Sequence, residues 1–310
     1  MAELGSFLEV LISGLLVGVL YSLVALGFVL IFKASGVFNF AQGAMVLTAA
    51  LALVRALEVL QKQGLSLWLA VVIAFVFAAI VMGLIAWGVE RLVLRKLVNQ
   101  DGIILFMATL GVTFFIEGLA QTVFGSDVYP LHLGVPKDSI FILESVFDGG
   151  ILVNELDIFS GVVAGLLVTG LALFFQRTRV GRALRAVADD KAAAQSVGIP
   201  LNYIWLIVWL VAGLVALVAG AVWGTKLGVQ FSLSQLALKA LPVLILGGFT
   251  SVPGAIIGGL IIGAGEKLAE VYIGKYVGGG IEIWFAFVLA LVFLLFRPQG
   301  LFGERIIERV

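Results

Sequence analysis

Six stretches of the chain, 8–32, 36–54, 67–89, 102–124, 158–176 and 201–223, are apolar almost without interruption. A helix rising ~1.5 Å per residue needs about 20 such residues to cross the hydrocarbon of a bilayer. No water reaches that layer to satisfy backbone amides, so a spanning segment must close its own hydrogen bonds, as only helices and closed barrels do. The alternating pattern of barrel strands is absent, which leaves helices. Composition agrees: 62% of the 310 residues are hydrophobic and 12% charged, against roughly 45–50% and 25% in soluble domains. The predicted fold class is an all-α integral membrane protein, a polytopic helix bundle of about 8 membrane segments.

Two further segments complete that number. One is 281–296; the other, 236–265, is broken at Phe249-Thr250-Ser251-Val252-Pro253. Each half has about 13 residues, too short to cross without tilt or thinning. A broken or re-entrant helix pair is expected, with re-entry favoured over two separate crossings. The first segment lacks a small-residue cleavage site and is long for a signal sequence, so it is expected to stay as a helix. No linker divides the chain, and one transmembrane domain over 1–310 is expected, with a polar connector at 177–200.

Orientation follows the Lys/Arg bias of the short loops. Arg177, Arg179, Arg182, Arg185 and Lys191 lie in the 177–200 connector; Arg91, Arg95 and Lys96 follow the third segment. The tail carries Arg297, Arg305 and Arg309. The connector 125–157 instead carries Asp127, Asp138, Glu144, Asp148, Glu155 and Asp157 against a single lysine. The basic connectors are therefore expected in the cytoplasm and the acidic one outside. That places the N-terminus outside, the C-terminus inside, and an odd number of crossings between 235 and Arg297.

Several chemistries are ruled out or left without residues. The chain has no cysteine, and its sole histidine, His132, cannot form a multi-histidine metal site. There is no H-E-x-x-H and no spaced aspartate pair within spans, so no enzyme activity is expected. No G-x-x-x-x-G-K-[ST] loop is present, since Gly274-Lys275 is followed by Tyr276. Zero net charge gives no reason to expect a nucleic-acid partner. The 38 glycines instead fall into small-xxx-small frames, among them Gly14/Gly18, Gly161/Gly165, Gly220/Gly224, Gly254/Gly258 and Gly259/Gly263. Such frames let helix backbones approach closely in lipid.

The connector 182–200 holds the most informative polar segment. Asp189 or Asp190 can cap a helix N-terminus, and Ala192 to Val197 favours helix. Gly198 suits a left-handed C-terminal cap, with Pro200 preventing continuation. A short, Ala-faced helix of about two turns results. It can be what a partner's groove grips, or a connector lying on headgroups. The four arginines around it can touch lipid phosphates or the partner.

Four segments resemble one family. Ala188-Asp189 and Ala192, followed by Gly198-Ile199, look like the ATPase-coupling loop of bacterial ABC importer permeases. Asn39-Phe40-Ala41-Gln42-Gly43-Ala44-Met45, Leu246-Gly247-Gly248-Phe249-Thr250-Ser251-Val252-Pro253-Gly254-Ala255 and Arg297-Pro298-Gln299-Gly300-Leu301-Phe302-Gly303 resemble the branched-chain amino acid branch. The resemblance implies a permease of a bacterial inner membrane that pairs with a second homologous permease or with itself, two cytoplasmic ATPases and an external substrate-binding protein. It further implies Ala188, Asp189, Asp190, Ala192, Ser196 and Gly198 as ATPase-coupling residues. ATP would be bound by the partners, with no cofactor on this chain.

Polar residues inside spans are the candidates for a translocation pathway, because their cost in lipid needs compensation. Thr113, Glu117 and Gln121 recur every four residues on one helix face that also holds Thr109, and Glu117 is read as the only carboxylate well inside a long central span. That face can line water or bond a neighbouring helix. Asn39, Gln42 and Thr48 form a second expected patch at the cytoplasmic end of the second helix. Thr250 and Ser251 mark a break that suits a translocation site or a structural kink. Lys239 can snorkel to headgroups or pair with a carboxylate. Alternative functions are a channel or permease for urea or short amides and a stand-alone secondary transporter; both leave the 182–200 loop unexplained.

Overall fold

The computed structural model describes residues 2–97, 100–142 and 150–303. Among these, seven helices are long and apolar enough to cross a membrane. They are α1 (Ala2–Ser35), α2 (Gln42–Lys62), α3 (Leu67–Leu92), α4 (Gly102–Phe124), α5 (Glu155–Arg177), α8 (Leu201–Leu227) and α10 (Val252–Tyr272). The polar connector forms α6 (Arg179–Asp189) and α7 (Lys191–Ser196). Shorter helices are α9 (Leu236–Gly247), α11 (Gly274–Val277) and α12 (Phe285–Phe296). The chain is thus the polytopic α-helical membrane protein that its apolar stretches predict.

Two boundaries differ from the apolar stretches for local reasons. Gly36, at φ 72°, ends α1, and α2 starts only at Gln42 because 36–41 is a loop. The helix then runs on through Arg55 and Glu58, which pair at 2.6 Å. The break near 250 lies where expected, but its second half is no fragment: α10 has 21 residues. Apolarity stops at Glu266 while the helix continues, so hydropathy alone shortens it. The acidic connector also holds a small antiparallel hairpin, β1 (Ser139–Ile142) with β2 (Ile151–Asn154), too short to register as strands in sequence. Glu144, Asp148, Arg305 and Arg309 lie outside the described residues.

The chain divides into two compact units, 1–25 with 135–168 and 239–310, and 26–134 with 169–238. Each unit combines segments distant in sequence, so no linear boundary marks the division. In the second unit α2 is the core, its residues 42–54 all buried, with α3, α4 and α8 packed against it. On α3, Ala70, Ala74, Ala78, Met82 and Ala86 form a buried stripe, while Trp68, Val72, Val76, Ile80 and Leu84 are exposed. Small residues inward and large apolar ones outward is the arrangement of a helix packed on protein and facing lipid. Gly220 of α8 lies against the Val46 carbonyl and Ala50 of α2, leaving no room for a side chain.

In the first unit α1 crosses α10 on glycine. A Cβ on Gly14 would stand 2.8 Å from both Ala264 Cα and the Gly263 oxygen; one on Gly18 would stand 2.9 Å from Leu260 Cα. Ser22 donates across the same crossing to the Ile256 carbonyl at 3.1 Å. The frames Gly14/Gly18 and Gly259/Gly263 are therefore the two sides of one contact. Gly254/Gly258 packs on α9, whereas Gly165 has open space around it among the described residues. Obstructing backbone cannot move aside, so Gly18→Leu should destabilise the protein by about 1–3 kcal/mol. Gly165→Leu should be near neutral. Thermal unfolding in detergent distinguishes the two.

Candidate functional site

In the second unit, α6 and α7 form a polar elbow built by local hydrogen bonds. Thr178 caps α6, its Oγ1 accepting from Gly181 N at 3.1 Å. Gly181, Leu184 and Val187 are buried, and Gly181 abuts the Phe175 carbonyl too closely for any Cβ. Arg185 Nη1 donates to the Phe175 carbonyl at 2.6 Å, and Arg182 Nη1 to that of Arg177 at 3.4 Å. These two arginines therefore close the carbonyl end of α5, a role that their sequence reading as lipid-phosphate or partner contacts did not include.

Asp190, not Asp189, caps α7: its Oδ1 accepts from Ala192 N at 2.8 Å and Ala193 N at 2.9 Å. Asp189 is the last residue of α6. Gly198 has φ 89°, and Ile199 N donates to the Ala194 carbonyl at 3.0 Å, the left-handed stop expected from Gly198 and Pro200. Ala188, Asp189, Asp190, Ala192, Ser196 and Gly198 are all exposed. Ala194 turns inward. The exposed side is wider than the line from Ala192 to Ser196, since Ala193 and Val197 lie on it too.

The polar residues near the start of α2 do not form one patch. Asn39 and Gln42 are both 0% exposed, and Thr48, also buried, faces elsewhere. Asn39 Oδ1 accepts from Ala41 N at 3.1 Å, and Gln42 Nε2 donates to the Ala212 carbonyl of α8 at 3.4 Å. Their other amide atoms, Asn39 Nδ2 and Gln42 Oε1, are buried without a hydrogen-bond partner among the described residues. Gln42 fills the space that a side chain on Gly27 would take. Thr48 returns its hydroxyl to the Ala44 carbonyl at 2.7 Å and borders an apolar crevice of about 410 Å³ between α3 and α4. Helical geometry explains the split: six residues at about 100° each put the two side chains on different faces.

The face of α4 is as read. Thr109 and Glu117 are buried, with Thr113 and Gln121 half-buried, while Phe114 and Phe115 point away. Thr113 donates to the Thr109 carbonyl at 2.7 Å, and Thr109 to the Phe38 carbonyl of the 36–41 loop at 3.2 Å. Gln121 borders a cavity of about 290 Å³ with Asp127 and Gln230. Phe28, Phe38, Phe40 and Phe106 form a chain of ring contacts of 4.7–4.9 Å that fixes the loop against α4.

In the first unit, the break between α9 and α10 is sealed by the tail. Gly248, at φ 101°, turns the chain, and Ser251 Oγ caps α10 by accepting from Gly254 N at 3.0 Å. Leu301 N donates to the Leu246 carbonyl at 2.8 Å and Phe302 N to that of Gly247 at 3.2 Å. Backbone at Gly300 and Gly303 approaches Gly248 with no space for side chains. Thus the 246–255 and 297–303 motifs are two parts of one structure, with Thr250 half-buried beside them.

Glu117 is not the only carboxylate inside the spans. Glu266 of α10 is buried, hydrogen-bonded to Tyr21 of α1, and close enough to Lys239 of α9 to interact electrostatically. Lys239 therefore has a carboxylate neighbour. The signal was present: an intramembrane lysine calls for an anion, and Glu266 stands one residue beyond the counted segment. Glu90, at the end of α3, is also buried and pairs with Arg95 at 3.0 Å.

Because α7 is short, its N-terminal cap should govern its persistence. Asp190→Ala frees two amide donors and costs about 1 kcal/mol. Amide hydrogens of 192–194 should then exchange about fivefold faster, with Asp190→Asn near the parent rate.

Comparison with known proteins covers the whole of this architecture. BraD of Pseudomonas aeruginosa, a high-affinity branched-chain amino acid transport system permease protein, is 31% identical over 314 residues, covering 100% of each chain. LivH of Escherichia coli, of the same description, is 28% identical and covers 98% of each. A probable branched-chain amino acid transport permease protein of Methanocaldococcus jannaschii is 29% identical, covering 91% of this chain and 88% of its own. The family model described as branched-chain amino acid transport system / permease component matches residues 10–296. With the family model matching 10–296 and BraD aligned over the whole chain, the chain belongs to that permease family.

Proposed function

We propose that this chain is the membrane-spanning subunit of an ATP-driven importer and passes branched-chain or other neutral amino acids inward. The observation that carries the reading is full-length likeness to permeases combined with a capped, exposed α7 between two membrane helices. The other members of the assembly are a second homologous permease or a second copy, two cytoplasmic ATPases that bind the nucleotide, and an external substrate-binding protein. The chain does no covalent chemistry of its own.

In this scheme α7 is the docking element. Its exposed small residues Ala192 and Ser196, with Ala188, Asp189, Asp190 and Gly198 at its ends, let a groove close on the backbone. The pathway candidates are Asn39, Gln42, Thr48, Thr113, Glu117 and Gln121 in the second unit and, separately, Thr250 and Ser251 in the first. All but Glu117 are polar without charge, which suits a zwitterion that must be released as readily as it is bound.

The cytoplasmic placement of 177–200 and of the tail follows from their arginines. Docking of 297–303 on the α9–α10 break supports a break at the same membrane face as Arg297. With α10 at 21 residues, this favours two crossings over a re-entrant pair and preserves the odd count before the tail.

Reconstituted with its partners in vesicles, the chain should support uptake only with ATP. Ala192→Trp should leave it inserted and abolish uptake, with ATPase docking weaker by roughly tenfold per 1.4 kcal/mol of overpacking. Ala193→Trp, about 100° around the helix, should be milder if that side faces lipid or water, and as damaging if the groove covers the wider exposed side. Normal uptake with the ATPases bound to Ala192→Trp would reject the docking role. For orientation, single cysteines replacing the exposed Ser139 and Ser196 should label from opposite sides of the membrane. Labelling from one side would reject the topology.

A further inference from the structure

The first residue of α7 is bonded to the last residue of α1. Lys191 Nζ donates to the Ser35 carbonyl at 2.6 Å. That carbonyl lies past the helix ladder, because Gly36 N already turns back to the Phe32 carbonyl at 2.7 Å. It is one of the carbonyls that a helix end leaves without an internal donor. A short bond from an ammonium group is among the stronger hydrogen bonds. Partial burial also pushes the Lys191 ammonium below the usual lysine range, a cost that the contact with Ser35 offsets.

The loop beyond Ser35 is held from several sides. Trp205 Nε1 of α8 donates to the Ala34 carbonyl at 3.1 Å, and Thr109 of α4 holds the Phe38 carbonyl. Ser35 Oγ accepts from Val37 N at 3.2 Å. Of these ties, Lys191 comes from the docking helix. Its stem belongs to the turn that Asp190 caps, so the ammonium follows any displacement of α7. At the other end of the loop stand Asn39 Nδ2 and Gln42 Oε1, a buried donor and a buried acceptor without partners among the described residues. Unmatched buried amides are a high-energy arrangement, and a modest shift of the loop changes what they can reach.

We propose that Lys191 is the strut through which displacement of α7 reaches the α1–α2 loop and the amides of Asn39 and Gln42. It is a positioning residue: it touches neither nucleotide nor substrate, and it sets how much of the ATPase stroke arrives at the loop. The inference rests on α7 being the docking helix.

The test measures substrate moved per ATP hydrolysed, using the complete importer in vesicles with leucine as substrate. Lys191→Met keeps a side chain of similar length and removes the donor. It should lower leucine uptake per ATP by about tenfold while the ATPases remain bound, and Lys191→Arg should recover most of the ratio. An unchanged ratio in Lys191→Met overturns the strut. So does loss of ATPase binding in Lys191→Met, which would make the lysine a docking contact. If Lys191→Met does not fold and insert in the membrane, Lys191→Gln, which keeps a shorter donor, is read by the same ratio, and an unchanged value overturns the proposal. Ala192→Trp separates this from the docking reading. If Ala192→Trp blocks uptake and Lys191→Met leaves the ratio intact, only the strut fails; if Ala192→Trp is silent, the docking reading fails first.

Discussion

Within the hydrocarbon of a bilayer a peptide group finds no water, so every interruption of a helix needs its own hydrogen-bond partners. The structure meets this demand at each interruption with a different device. At 36–41, Ser35 and Asn39 bond their own loop, and Lys191, Trp205 and Thr109 take its carbonyls or those beside it. At 248–251, the Ser251 hydroxyl caps the start of α10, and the tail donates to the carbonyl end of α9. At the α5–α6 corner, Arg185 performs that service. Three of the four family-like motifs, 39–45, 246–255 and 297–303, coincide with the first two of these repairs. Their residues are those that make a broken helix tolerable.

The second constraint is how closely helices can approach. Lipid tails are as apolar as leucine, so burying leucine between helices gains little over leaving it in lipid. Close backbone approach gains dispersion contacts instead, and glycine or alanine permits it. The α1–α10 crossing on Gly14, Gly18, Gly259 and Gly263 and the alanine stripe of α3 are built this way. Large side chains are then left for the outside, where Trp68, Phe114 and Phe115 are exposed.

Functionally, strength and weakness fall in different positions. The docking helix is short, with one side-chain cap at its start, yet it is tied at its first residue to the end of α1. The polar groups proposed to meet substrate are mostly neutral and buried, and two of their amide atoms lack partners among the described residues. Two buried carboxylates of the helices are instead partnered: Glu90 bonds Arg95, and Glu266 bonds Tyr21 and lies near Lys239. Matched charges hold the scaffold, whereas unmatched amides leave a place where rearrangement is cheap.

Local sequence was enough to read the membrane class, the approximate spans, the α7 stop at Gly198 and the polar face of α4, and it narrowed the α7 N-terminal cap to Asp189 or Asp190. Each depends on residues near one another in the chain, through helical period, capping or length. Other features required distant segments to meet. Apolarity could not extend α10 to Tyr272, because polar residues at a helix end stop a hydropathy window without stopping the helix. Nor could it separate Thr48 from Gln42, whose neighbours on α3, α4 and α8 decide which way each faces. The pairing of Glu266 with Tyr21, the tail across the α9–α10 break and the bond from Lys191 to Ser35 link residues far apart in sequence. Which segments are helical, and where most of them stop, was written in the order of residues, because those are local properties of backbone and side chain. Which polar groups find partners emerged with the folded chain, because satisfaction in a water-free interior depends on what another segment brings within hydrogen-bond distance.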